Sequence, residues 1–247
     1  MANSDAFEPV TETGWRMGFS NLMNKELKAW FGTSAWWQQA LLWSGILGII
    51  SLATIQDPEA GLTIFYIMAT IFPSIAVIII SQEKILEEKR SGSAAWVLSK
   101  PVSRTAFILA KLLPNAVSFS ISMIMIPGIV VFLASALIGF APDPLVFCAS
   151  LVPLMLWQVF IMFLTICLGT FYDSEGAVMA LPFVFTFTVA NLGMDPTIGP
   201  YGPWGLFQLA ISIGMSTTYP IYPLPITIAV LIALGAISVW RFSKHEF

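Results

Sequence analysis

Gln82-Glu-Lys-Ile-Leu-Glu-Glu-Lys-Arg-Ser-Gly-Ser-Ala-Ala-Trp-Val-Leu-Ser-Lys-Pro-Val-Ser-Arg-Thr-Ala-Phe-Ile-Leu-Ala-Lys111 lies between two long apolar runs. It holds six of the chain's 11 Lys and Arg residues: Lys84, Lys89, Arg90, Lys100, Arg104 and Lys111. A basic stretch between two apolar runs belongs at a membrane surface, on the side where positive charge is retained. Gly92 permits a tight turn, and Ser93 is a good N-cap for a short helix predicted over Ala94 to Ser99. Pro101 cannot continue that helix and pushes Lys100 towards an extended backbone. Ser103 then caps the next helix, which begins near Arg104. A solvated charge run is one reading of this loop. The apolar Trp96-Val97-Leu98, set between two chain-breaking points, favours a surface that a partner docks against. Lys84 lies outside that short helix and is expected to be neutral to docking.

Outward from the loop, the composition excludes a soluble domain. The 247 residues are 57% apolar and only 10% charged, with mean hydropathy +0.83. Apolar runs of about 20 residues, enough to span a bilayer, recur along the chain. They predict six transmembrane helices, near residues 35–55, 61–81, 104–138, 145–171, 176–194 and 223–240. The fold class is therefore all-α, a polytopic membrane protein forming one transmembrane domain over 1–247. Residues 14–31 place Trp15, Phe19, Leu22, Met23, Leu27 and Trp30 at helical spacing and read as an amphipathic interfacial helix. Residues 82–104 form a cytoplasmic loop. Pro114 and Pro127 are expected to kink the third span.

Residues 195–222 carry Pro196, Pro200, Pro203 and Pro220 around an apolar piece, Leu206 to Met215, that is too short to span. They read as an external re-entrant segment. With six spans, all 11 Lys and Arg residues fall on one side and both termini are cytoplasmic. A seventh span over 195–222 would send Arg241 and Lys244 outside. No signal peptide is expected, because Met1 to Gly14 is polar and acidic. Asp173 and Glu175, between the fourth and fifth spans, could contact a partner's basic surface. The simpler reading is that they keep a tight loop wet and cap the next helix. In the fifth span Thr186, Thr188 and Asn191 can bond between helices or line a polar cavity.

Several chemistries have no parts here. Cys148 and Cys167 stand 19 positions apart on one predicted helix, about 28 Å at 1.5 Å per residue, so they cannot form a disulfide. The single histidine, His245, leaves no intramembrane metal site or nucleophile–base pair. The chain has no Gly-x-x-x-x-Gly-Lys-Ser/Thr loop and no deep carboxylate pair for a proton or sodium relay. An energy source must come from another polypeptide, or there is none.

Glu88-x-x-x-Gly92-Ser93, then Leu98-Ser99-x-Pro101-Val102-Ser103-Arg104, then Lys111, resembles the signature of the type-2 ATP-binding-cassette exporter permeases. Ser93 stands where that family has Thr, and Val97-Leu98 where it has a leucine pair. The resemblance implies the membrane-spanning subunit of an exporter for a hydrophobic or amphipathic compound. It implies two permease copies and two cytosolic ATPase subunits that carry ATP and magnesium, with no cofactor in this chain. Glu88, Gly92, Ser93, Trp96, Leu98, Pro101, Ser103, Arg104 and Lys111 would form the docking and coupling site. Thr186, Thr188 and Asn191 are candidates for a cavity between the copies. The partners expected are the ATPase, a second permease and the lipid bilayer, with no nucleic acid. The alternative is a non-transporting anchor or assembly factor that holds a cytosolic protein by the same loop. ATP-dependent transport by the complex separates the two.

Overall fold

Asp57 and Pro58 start the longest helix, because the aspartate side chain accepts from Ala60 N at 3.1 Å and proline suits the first helical position. The computed structural model describes residues 12–53, 57–92, 96–97, 99–140 and 142–244, all helix, turn or irregular chain with no strand among them. In chain order the helices are α1 (Phe19–Phe31), α2 (Ala35–Leu52), α3 (Pro58–Arg90), α4 (Arg104–Leu137), α5 (Pro144–Phe171), α6 (Glu175–Met194), α7 (Gly205–Gly214) and α8 (Pro223–Ser243).

Five of these, α3, α4, α5, α6 and α8, are long and apolar enough to cross a membrane. The expected first span, α2, has 18 residues, or about 27 Å. It falls outside that set because Trp36, Trp37, Gln38 and Gln39 dilute its apolar character. α5 is the most enclosed span, packed by α3, α4, α6, α7 and α8, while α8 is the least enclosed.

The expected loop over 82–104 begins later than its charges suggested. α3 continues unbroken to Arg90, 33 residues or about 50 Å, against a hydrocarbon core of about 30 Å. Glu and Lys are good helix formers, Lys84 and Glu88 stand four apart, and Lys89 and Arg90 suit the negative end of the helix dipole. The helix simply leaves the membrane without ending.

The predicted interfacial helix over 14–31 is two pieces, a 3-10 turn at Gly14–Arg16 and then α1. Gly18 divides them. Its φ of 78° is left-handed, and a Cβ there would sit 2.8 Å from Val102 Cγ2, so only glycine allows this approach.

In α4 the expected proline kinks take another form. A π-helical stretch, Ser120–Met125, sits between Pro114 and Pro127. The wider turn falls where the Pro127 ring would press on the Met123 carbonyl. In α3, Pro73 deprives the Ala69 carbonyl of its helical donor, and Gln158 Nε2 on α5 donates to it at 3.1 Å. Trp157 Nε1 bonds the Thr70 carbonyl at 3.2 Å and Ser74 Oγ at 3.0 Å alongside.

The segment before the last span contains α7, ten residues or about 15 Å, buried against α5 and α6 through Leu206, Phe207 and Leu209. It is too short to cross, as its length in the sequence indicated. At its end a Cβ on Gly214 would fall 2.0 Å from the Tyr66 hydroxyl, so the close packing of α7 on α3 depends on that glycine.

Candidate docking and coupling site

Three helices meet at one group of charges. Lys111 Nζ on α4 bonds Glu26 Oε1 on α1 and Glu88 Oε1 on α3, each at 2.6 Å. Lys84 Nζ donates to Asn115 Oδ1 at 2.6 Å and lies 3.6 Å from Glu26 Oε2. Asn115 Nδ2 in turn bonds the Lys111 carbonyl at 2.6 Å. Lys84 also lies over the Trp30 ring, 5.6 Å from its centroid. Two carboxylates face two ammonium groups, so the cluster is neutral as a whole. That balance is what makes its burial tolerable. Burial alone would raise the Glu26 carboxyl, but the ammonium groups of Lys111 and Lys84 outweigh it and hold the group below its ordinary range.

The loop that leaves α3 is anchored at its far end. Gly92 takes a left-handed φ of 71°, and its carbonyl accepts from Trp96 N at 3.0 Å. Trp96 and Val97 are helical; Ser93, Ala94, Ala95 and Leu98 of the predicted helix lie outside the described residues. Trp96 is 63% exposed, with Lys100 Nζ 3.5 Å from its ring centroid, while Val97 packs on the core. After Pro101, Ser103 donates its N–H to Met17 O at 3.0 Å and its hydroxyl to Trp15 O. The same hydroxyl caps α4 by accepting from Ala106 N at 2.9 Å. Arg104 donates to the Ser243 carbonyl at the end of α8, and Phe107 stacks on Phe242 with centroids 5.0 Å apart. One end of the loop offers an exposed tryptophan; the other is held by the 3-10 turn before α1, the start of α4 and the end of α8.

Residues 31–196 match the profile of the ABC-2 family transporter proteins. The chain belongs to this family. No curated protein matches it. The ABC-2 permease is a multi-pass membrane protein and the membrane subunit of an ABC transporter, without a nucleotide-binding loop of its own. The matched region runs from the end of α1 through α6, so it includes Glu88 and Lys111 but not Glu26.

Of the residues the sequence singled out in this ABC-2 permease, Glu88 and Lys111 come together in the buried cluster. Ser103 and Arg104 form the joint between the loop, the 3-10 turn before α1 and the end of α8, with Pro101 exposed beside them. Thr186, Thr188 and Asn191 do not share a surface: Thr186 is buried inside the chain, Thr188 is half-buried and Asn191 is exposed. Thr188 Oγ1 donates to its own helix at Val184 O, 2.7 Å away. Asp173 and Glu175 pair within the permease, with Lys89 at 2.5 Å and Arg90 at 2.6 Å, and Ser174 is the side chain that caps α6.

Glu26, Lys84 and Asn115 were missed. Lys84, expected to be neutral to docking, is carried onto Asn115 because α3 stays helical, so it is no bystander to the packing. A signal for Glu26 was present. It occupies the middle of the apolar stripe Leu22, Glu26, Trp30, where a charge has no reason to be unless something inside receives it.

Proposed function

We propose that this permease exports a hydrophobic or amphipathic compound from the cytoplasm, driven by ATP and magnesium held on a separate ATPase subunit. The observation that carries the reading is the loop's two-ended construction. Trp96 is presented outward, while Ser103 and Arg104, at the start of α4, fix the other end to the 3-10 turn before α1 and to the end of α8. A partner seated over Ser91–Pro101 pushes on the ends of two spanning helices at once. Two permeases and two ATPases form the transporter, and the cargo passes between the permeases. Thr188 and Asn191, on the outward face of α6, can reach such a cavity.

Six crossings with both termini in the cytoplasm fit this arrangement. Glu26 holds α1 at the end of the bundle that carries Lys111, whereas Asp57 lines a groove with Asp143 and Met215 at the opposite end. On this reading α2, short as it is, is the crossing that joins the two ends. The all-basic end is the cytoplasmic one by the distribution of Lys and Arg.

The test is reconstitution of the permease with its ATPase in vesicles, with candidate compounds screened for stimulation of ATP hydrolysis and for ATP-dependent movement. Vesicles that assemble the complex and hydrolyse ATP yet move none of the stimulating compounds would support a membrane anchor instead.

A further inference from the structure

We propose that the groove between α4, α5 and α8 binds one anionic phospholipid of the leaflet at the basic end. The idea requires only that α4 and α8 cross the bilayer; it does not rest on the transport reading. The groove holds about 580 Å³ and its walls are wholly apolar, among them Leu109, Leu113, Phe163, Ile232, Gly235 and Trp240. It is open to the outside of the bundle, with Ile232 68% and Trp240 54% exposed. Such a surface meets lipid tails. From Ile228 to Trp240 it runs 12 residues along α8, about 18 Å, close to one leaflet's half of a 30 Å core. Gly235 keeps the wall open where a larger residue would fill it. A Cβ there would meet only ordinary contacts, Phe163 at 3.7 Å and Leu112 at 3.9 Å.

The charges at the mouth specify the headgroup. At this end of the bundle Lys84, Lys89, Arg90 and Lys111 are all taken by carboxylates. Arg104 and Lys244 have no carboxylate among the described residues. Lys244 Nζ stands 4.3 Å from the ring centroid of Trp240, which lines the groove, and Arg104 bonds the carbonyl of the adjoining Ser243. Two cations that no described carboxylate pairs, above an apolar slot of one-leaflet length, complement a phosphate with its acyl chain. Tryptophan at that level is the side chain suited to the interface between them.

The test uses the purified full-length permease, equilibrated with equal amounts of phosphatidylglycerol and phosphatidylcholine of the same chains, and native mass spectrometry of what remains bound. Wild type should retain phosphatidylglycerol in clear preference. Lys244→Gln should cut that preference about fivefold, as one interfacial cation is removed, while total lipid is retained. Gly235→Leu should lose the lipid severalfold. Ile232→Trp, which fills the slot from its exposed rim without entering the core, should do the same and guards against misfolding of the glycine variant. Equal retention of the two lipids by wild type, or undiminished phosphatidylglycerol in a folded Ile232→Trp, overturns the proposal.

Discussion

Lys111 on α4 and Glu26 on α1, 85 positions apart in the chain, meet at 2.6 Å. The contact ties α1 to α4 at the charged end of the bundle.

Removing one partner of a buried ion pair strands the other, at a cost of about 3–5 kcal/mol. Lys111→Met is therefore expected to lower the melting temperature of the purified permease sharply. Adding Glu26→Gln and Glu88→Gln should restore much of the loss. Unchanged melting of Lys111→Met would show that the cluster carries no stability.

Acid should act through the same pair. The Glu26 carboxyl is lowered from 4.5 in the folded protein, so its contribution is complete above 4.5 and is lost as the pH falls through the lowered value. Wild type should lose more melting temperature between pH 7 and pH 4 than Glu26→Gln does. Parallel losses in the two proteins would remove Glu26 from the account.

At the loop, Trp96→Ala should weaken association with the ATPase more than tenfold, since a buried aromatic anchor carries about 2 kcal/mol or more and 1.4 kcal/mol is a decade. Pro101→Ala and Arg104→Ala should leave the subunits together and ATP hydrolysis running while transport falls. Lys28→Glu, exposed on α1, replaces Lys84 as the neutral control. Normal association of Trp96→Ala in a pull-down, with effects that follow net charge alone, would return the loop to a solvated charge run.

Topology is open to chemical labelling. In a background without Cys148 and Cys167, single cysteines at Asp57, Asp143 and Tyr201 should react with an impermeant thiol reagent from outside. Cysteines at Lys28, Ser91 and Ser243 should stay protected. Labelling at Lys28 with protection at Ser91 would mean that α2 does not cross.

The Pro73–Gln158 relationship predicts a coupling. Gln158→Leu should cost about 0.6 kcal/mol, up to about 1.7, the range found for hydrogen bonds between membrane helices. In a Pro73→Ala background the restored backbone N–H supplies the Ala69 carbonyl, and the same change should cost less. Equal costs in both backgrounds, read by unfolding in detergent, would disconnect the two residues.

Hydropathy and capping are properties of neighbouring residues, and so the apolar helices, the cap at Ser103, the short α7 and the one-sided placement of Lys and Arg could be read from the chain, whereas the caps at Asp57 and Asp143 were not. The same logic cut α3 short, because a run of charges looks alike whether it coils in water or continues a helix out of the membrane. What the linear chain could not carry is pairing at a distance. Glu26 with Lys111, Lys84 with Asn115, and Gln158 with the carbonyl that Pro73 frees each join residues on different helices. A buried charge or an orphaned carbonyl must find its counterpart wherever packing brings one within reach. Only the folded bundle decided which residues those are.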